Sequence, residues 1–199
     1  MGSNEANNKS PIQIREMDLE DLPRVYALGE QLFTPERWPT LYRTWDGHEL
    51  ADLYASDGDT CFVAELDGDI VGFALGTLLE KRKSPWKYGW VLWLGVSPSL
   101  GRRGLGKRLL SRITDVFVEY GARMILIDTD PTNRAAMKFF RNEGFGQEQP
   151  HVYMAKNLTR DPAYVRHRAK RKGTKAPVSA RGVGGSGVDI PVAPPDSKR

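Results

Sequence analysis

The chain has 199 residues, 40% hydrophobic and 27% charged, with 20 glycines, 13 prolines and one cysteine. That length suits one good-sized soluble domain with an extension; a lone cysteine excludes an intrachain disulfide framework and a cysteine-based zinc cluster, and no apolar run approaches the roughly 18 residues of a bilayer span. The net charge of +4 is unevenly held: residues 156–199 carry 11 Lys or Arg against three Asp, a net of +8, whereas residues 1–155 carry 18 basic and 22 acidic residues, a net of −4, so treating the whole molecule as a nucleic-acid binder misplaces its charge.

The opening MGSNEANNKS lacks an apolar h-region, so residues 1–10 are expected to be disordered and the setting cytoplasmic. Ile12-Gln13-Ile14-Arg15 alternates apolar and polar, which predicts a short strand. Asp18 stands as an N-cap, Asp21 falls in the first turn, and Leu22, Val25, Leu28 and Leu32 recur at helical spacing. Pro35 and Pro39 then interrupt any regular element, leaving a loop-rich stretch with Phe33, Trp38, Tyr42 and Trp45; no element is predicted between Trp45 and Cys61. Residues 61–66 and 70–75 flank Asp67-Gly68-Asp69, a hairpin signal. Cys61, with no basic partner nearby, reads as a buried small hydrophobe.

Residues 90–96 are apolar throughout and predict a strand buried on both faces, ended by Ser97-Pro98. Leu105, Leu109, Ile113, Val116 and Phe117 form a stripe on a helix ending near Gly121. Residues 124–127 predict another buried strand, residues 132–143 a helix stopped by Gly144, and residues 152–154 a last strand. A meander of strands followed by strand–helix alternation predicts a mixed α/β sheet in one layered domain, residues 11–158.

Residues 159–199 hold R-H-R-A-K-R-K, V-G-G-S-G-V and P-V-A-P-P, with too few large apolar side chains to offset the entropy of ordering. They are expected to form a disordered basic tail, although 160–171 has the makings of a short basic helix. Its charge suits electrostatic contact with RNA, the ribosome or an acidic partner.

Between the apolar strand and its helix lies Gly101-Arg102-Arg103-Gly104-Leu105-Gly106-Lys107. A helix N-terminus presents unpaired amides and the positive end of the macrodipole. Gly104 and Gly106 allow close backbone approach to a phosphate, and Arg102, Arg103 and Lys107 add charge. The spacing matches neither Walker A nor the dinucleotide-binding fingerprint.

V-x-P-x-x-G-R-R-G-L-G-K, from Val96 to Lys107, resembles the acyl-CoA pyrophosphate loop of the GCN5-related N-acetyltransferases (GNAT), members similar to the ribosomal-protein N-terminal acetyltransferases among them. Asn133, Ala136, Phe140, Gly144 and Phe145 match that family's N-x-x-A-x-x-x-Y-x-x-x-G-F segment in spacing, and the early hairpin also fits. The resemblance covers about residues 12–158. It implies an acyl-CoA N-acyltransferase fold in which two central parallel strands splay apart and admit the pantetheine arm of acetyl-CoA. Leu94 and Val96 would bond that arm through their backbones, the amides of Arg102, Arg103, Gly104, Leu105, Gly106 and Lys107 would hold the pyrophosphate, and Asn133 and Phe140 would contact the arm further along.

The resemblance also implies a general base five residues before the motif asparagine, at Asp128, where the similar enzymes carry glutamate; the shorter side chain calls for a bridging water. A solvated strand end or a helix cap is the competing role, with Asp130 the alternative cap. Phe140 departs from the family's tyrosine and cannot protonate a departing thiolate, a role left to Tyr153, Ser97 or water. Gly101 departs too, where the loop usually starts with Gln or Arg. His48, His151 and His167 show no ligand spacing, and no metal is expected.

The implied activity is transfer of an acetyl group from acetyl-CoA to a primary amine, whether peptide N-terminus, lysine or small molecule, with no membrane partner. A catalytically impaired acyl-CoA-binding module is the alternative, on the strength of Phe140. Phe33 to Trp45 and Trp86 to Trp90 are candidate acceptor walls, with Glu36, Asp46 and Glu80 candidate attractors of a cationic amine.

Overall fold

The computed structural model describes residues 11–34, 44–80, 85–100, 104–149 and 157–173. Outside them lie the expected strand at 152–154, the site candidates Arg102, Arg103 and Tyr153, Gly101, Glu36, Trp38, Tyr42 and His151, and both termini. The chain divides into two compact units, 1–150 and 151–199.

The first unit is built on β1 (Gln13–Glu16), α1 (Leu22–Leu32), α2 (Gly47–Asp57), β2 (Cys61–Leu66), β3 (Asp69–Glu80), β4 (Lys87–Val96), α3 (Leu105–Glu119), β5 (Ala122–Ile127) and α4 (Arg134–Asn142). The five strands form one sheet in chain order. The first three pairings are antiparallel, and β4·β5 is parallel, which is the mixed sheet the pattern of elements predicts. Asp67 and Gly68, both at positive φ, turn the β2–β3 hairpin.

Helix α2 has no counterpart in the prediction. Its apolar anchors, Leu50 and Leu53, are too few to stand out from sequence. What starts it is Asp46, whose Oδ1 accepts from the amides of His48 (2.7 Å) and Glu49 (2.9 Å). Asp46, offered by the sequence as an attractor of a cationic amine, serves here as the N-cap of this helix. Glu80 is likewise committed, to Lys87 across the β3–β4 hairpin.

Two apolar layers sandwich the sheet. On one face α1 and α2 cover Val63, Phe73, Leu75 and Trp93. Trp45 is buried here, its indole donating to the Tyr26 carbonyl at 3.0 Å and stacking on Phe73, so it belongs to the core and not to an acceptor wall. On the other face α3 covers Phe62, Ala64, Ala74 and Val91, flanked by Phe139 and Phe140 of α4. Two strand glycines bring α3 close. A Cβ on Gly89 would fall 2.3 Å from Phe117 Cδ2, and one on Gly76 would fall 2.8 Å from its Cζ, so both positions must lack a side chain for that ring to lie in the slot between the strands.

Asp21 is also buried, and it ties three elements together. Its carboxylate accepts from Arg15 at Nη1 and Nη2 and from Arg24, and it takes the Asp18 amide at 2.9 Å. Arg15 also reaches Glu65 on β2. Burial alone pushes the Asp21 carboxyl upward; the bonds from Arg15 and the Asp18 amide and the two guanidinium charges outweigh it and hold the group below its ordinary value. A three-residue 3₁₀ turn, Leu19–Asp21, thus precedes α1 where a simple N-cap is predicted. Cys61 is fully buried and its thiol is pushed up to about 12, chiefly by burial, as suits a small hydrophobe.

In the second unit, α5 (Pro162–Gly173) occupies part of the segment expected to be a solvated tail. The cause is local: the Asp161 side chain accepts from the Ala163 amide at 2.9 Å, and Pro162 suits the first helical position. Residues 162–171 are exposed throughout.

Candidate active site

The site begins with one extra residue in β4. Leu75 of β3 pairs with Trp93 and Gly76 pairs with Val91, which leaves Leu92 unpaired as a bulge. A bulge bends its strand and switches the side-chain alternation. Below it Gly89 and Val91 face α3; above it Leu94 and Val96 do, while Trp93 joins the opposite core. The parallel pairing with β5 runs only from Lys87 to Val91, against Ala122 to Ile127. Among the described residues β4 is paired from Leu92 onward with β3 alone, and β5 runs out at Ile127. The two parallel strands separate at this point.

A cleft of about 670 Å3 opens where they part. One wall is β4 from Val91 to Leu94 and Val96; another is the start of α3, Gly104 to Lys107; the third is the end of β5 and α4, with Asp128, Asn133, Phe139, Phe140 and Glu143. Among the residues the sequence singles out, Leu94, Val96, Gly104, Leu105, Gly106, Lys107, Asn133, Phe140 and Asp128 all line it. Ser97 does not, and its hydroxyl lies 2.9 Å from that of Ser99.

Gly104 takes φ +73° at the N-cap of α3, a left-handed conformation that favours glycine. The amides of Leu105, Gly106 and Lys107, in the first turn, have no partner within the helix, and they stand at the positive end of its dipole. Gly106 differs from the expected open approach: a Cβ there would touch the Phe139 ring at 3.6 Å and Val96 at 3.8 Å, ordinary contacts. Lys107 pairs with Glu143 at 3.2 Å, joining the start of α3 to the end of α4.

Asp128 sits one residue beyond β5. Its Oδ1 accepts from the Trp90 indole at 3.1 Å, a bond that crosses from β4 at the level where the strands separate. The amides that follow are taken by its neighbours. Asp130 Oδ1 accepts from the Thr132 amide at 2.7 Å, and Asn133 Oδ1 caps α4 by accepting from Ala136 at 3.1 Å. The cap role that competes for Asp128 is thus filled by Asn133, while Asp130 closes the turn before the helix. The Phe140 ring meets Phe139 and Phe145 edge-on, with centroids 5.1 and 5.5 Å apart. Glu143 is a lining residue that sequence patterning does not find, and patterning offers Trp90 as part of an acceptor wall without its bond to Asp128. An indole–carboxylate contact between positions 38 residues apart leaves no local signature.

Chemically, the cleft offers amides without a partner in their helix and a helix dipole for an anion at one end, an apolar gap in the middle, and a carboxylate at the far side. Among the described residues no group of three His, Cys, Asp or Glu is placed to hold a metal ion, and no helix is long and apolar enough to cross a membrane.

Comparison with known proteins agrees with this geometry. Residues 31–145 match the acetyltransferase (GNAT) family. The chain is 32% identical over 136 residues to the N-alpha-acetyltransferase RimI of Mycobacterium tuberculosis, covering 68% of this chain and 78% of that one. It is 28% identical over 129 residues to N-alpha-acetyltransferase 30 of Xenopus laevis. That alignment covers 65% of this chain but only 40% of the relative, and the human and mouse counterparts are covered to 30%. Among solved structures, the aminoglycoside N-acetyltransferase AAC(6')-Iy in complex with CoA superposes with a TM-score of 0.60 at 23% identity, over 76% of this chain and 97% of that one, a likeness of fold. With the family's motif glycines at the head of α3, a splayed pair of parallel strands in the sheet, and the match running from the end of α1 past the end of α4, the chain belongs to the acetyltransferase (GNAT) family.

Proposed function

We propose that the protein is an acetyl-CoA-dependent N-acetyltransferase acting on a primary amine. The observation that carries this is the separation of β4 from β5 beyond Val91, which sets Asp128 and the glycine-led start of α3 on opposite sides of one cleft. In this reading the amides of Gly104 to Lys107 hold the pyrophosphate, and Arg102 and Arg103 extend that cradle. Leu94 and Val96 bond the pantetheine arm through their backbones, with Asn133 and Phe140 beside it. The thioester then lies near Asp128.

The amine nitrogen attacks the thioester carbonyl carbon, its proton passes to Asp128 directly or through one water, and the carbon–sulfur bond breaks to release the thiolate. Phe140 supplies no proton. A thiol of pKa about 8.5 leaves tolerably near neutral pH, and Tyr153 or water serves as the donor. The aromatic packing of Phe140 favours one second reading, an acyl-CoA-binding module without turnover.

Free-thiol release on mixing the protein, acetyl-CoA and a panel of amines separates the two. Amine-dependent release supports the transferase; saturable binding of acetyl-CoA with no release across the panel supports the module. Well-folded protein that takes up no coenzyme A by calorimetry refutes both. The expected setting is the cytoplasm, with the basic segment after residue 158 available for RNA, ribosome or acidic-protein contact. Salt-sensitive RNA affinity that survives removal of residues 160–199 would refute that role for the tail.

A further inference from the structure

On the face of the sheet opposite α3, β4 and β5 carry a strip that neither core absorbs. Gly89 and Val91 point toward α3, so the alternate residues Tyr88 and Trp90 point away. The register sets Tyr88 beside Met124 and Trp90 beside Leu126. Trp86, stacked on Tyr88 with ring centroids 6.4 Å apart, extends the row. Trp86, Met124 and Leu126 are 42%, 43% and 38% exposed. Large apolar side chains grouped at such exposure mark a contact surface. The strip is also polar at both ends. At one end the Trp90 indole holds Asp128, which opens into the cleft. At the other the Arg123 guanidinium lies over the Trp86 ring at 5.7 Å, and no salt bridge among the described residues engages it.

We propose that this strip docks the acceptor as an extended peptide with its free amine at Asp128, apolar side chains along Trp90, Leu126, Tyr88 and Met124, and an acidic side chain at Arg123. The inference rests on the transferase reading and adds a substrate class and a specificity-determining residue to it. Three properties select the occupant. The strip is continuous with the cleft at Asp128, so a chain lying on it presents its end to the thioester. From Trp86 to Trp90 it runs about 13 Å at the rise of a strand, the length of four extended residues. Its far end is cationic, which repels a polycationic sugar or a lysine-rich peptide and attracts a carboxylate. The carboxylate can bond Arg123 while the guanidinium remains over the indole.

The test uses the full chain, acetyl-CoA and two hexapeptides with free N-termini, apolar at positions two and three, and Asp or Lys at position four. The wild type is expected to prefer the Asp peptide in kcat/KM. At low salt Arg123→Glu is expected to shift that preference toward the Lys peptide by about fivefold, the scale of an exposed charge pair made repulsive, and Arg123→Gln to fall between. Trp86→Ala is expected to raise the peptide KM roughly fivefold through lost aromatic contact, with the acetyl-CoA KM unchanged. An Asp-to-Lys ratio identical in the wild type, Arg123→Glu and Arg123→Gln overturns the proposal. So does transfer to small amines or aminoglycosides with neither peptide accepted, an outcome that leaves the transferase reading standing. No transfer to any amine defeats the transferase reading itself, and this inference with it.

Discussion

The slot that Gly76 and Gly89 open for Phe117 yields a prediction in which two effects of opposite sign compete. Alanine suits a strand interior better than glycine by about 0.5–1 kcal/mol, so propensity alone makes Gly89→Ala stabilising. Packing opposes it. The new Cβ would fall 2.3 and 2.4 Å from Cδ2 and Cγ, the body of the Phe117 ring rather than a flexible tip. Overpacking of this kind costs roughly 1–3 kcal/mol and sits at the upper end here, leaving Gly89→Ala destabilised by about 2 kcal/mol. Phe117→Ala, which empties a fully buried site, should cost about 4 kcal/mol. In the double variant the methyl enters the space the ring vacated and its clash disappears. With only the propensity gain of alanine left, the pair should therefore lose about 3 rather than 6 kcal/mol, a coupling of about 3 kcal/mol. Urea unfolding monitored by tryptophan fluorescence measures all three. Gly89→Ala at wild-type stability or above, or losses that add to within about 0.5 kcal/mol, would refute the close approach of α3 to the strands. The same displacement should reach the site, because α3 carries Gly104 to Lys107 against Leu94 and Val96. Gly89→Ala is therefore expected to weaken coenzyme A binding, and the double variant to recover part of the loss.

Single residues elsewhere give further expected outcomes. Asp128→Asn should lower kcat by about 10²-fold or more, the contribution of a positioned base, with coenzyme A affinity intact; equal turnover in a steady-state assay removes Asp128 from the mechanism. Gly104→Ala should cost about 1–2 kcal/mol in thermal or denaturant unfolding, from the left-handed φ alone, since a Cβ there meets nothing within 4 Å. Asp21→Asn should cost about 2 kcal/mol at pH 7 by leaving Arg15 and Arg24 without their buried carboxylate. Because folding lowers the Asp21 pKa, its contribution is complete above the unfolded value of about 3.9 and fades as pH falls through the folded value. The gap in melting temperature between wild type and Asp21→Asn should then narrow below about pH 4; a gap that widens on acidification contradicts the sign.

How much of this fold and site the sequence reveals depends on whether a signal is local. The β2–β3 hairpin, the α3 stripe and the glycines before it are legible because turn chemistry, helical spacing and a helix N-terminus act within a few residues. Asp46 also acts locally, yet α2 escapes notice because two apolar anchors do not make a stripe. Residues 90–96 and 124–127 look like strands buried on both faces because every side chain is apolar. Apolar composition does not say what covers a strand, and Met124 and Leu126 stand exposed. The bulge at Leu92 is the hardest to foresee, since nothing in Trp90-Val91-Leu92-Trp93 marks which residue drops out of register. Its consequences are nonetheless the ones on which the site depends. By switching the alternation it turns Leu94 and Val96 toward α3 while Trp90, on the near side of the bulge, still faces the other way. By bending β4 away from β5 it opens the gap that α3 flanks. Asp128, tied to Trp90 just below the bulge, thereby looks into the cleft on one side and onto the aromatic strip on the other. One unpaired residue in a strand thus places the proposed cofactor cradle and the proposed acceptor track on opposite faces of the same sheet, with the proposed base at the level where the two meet.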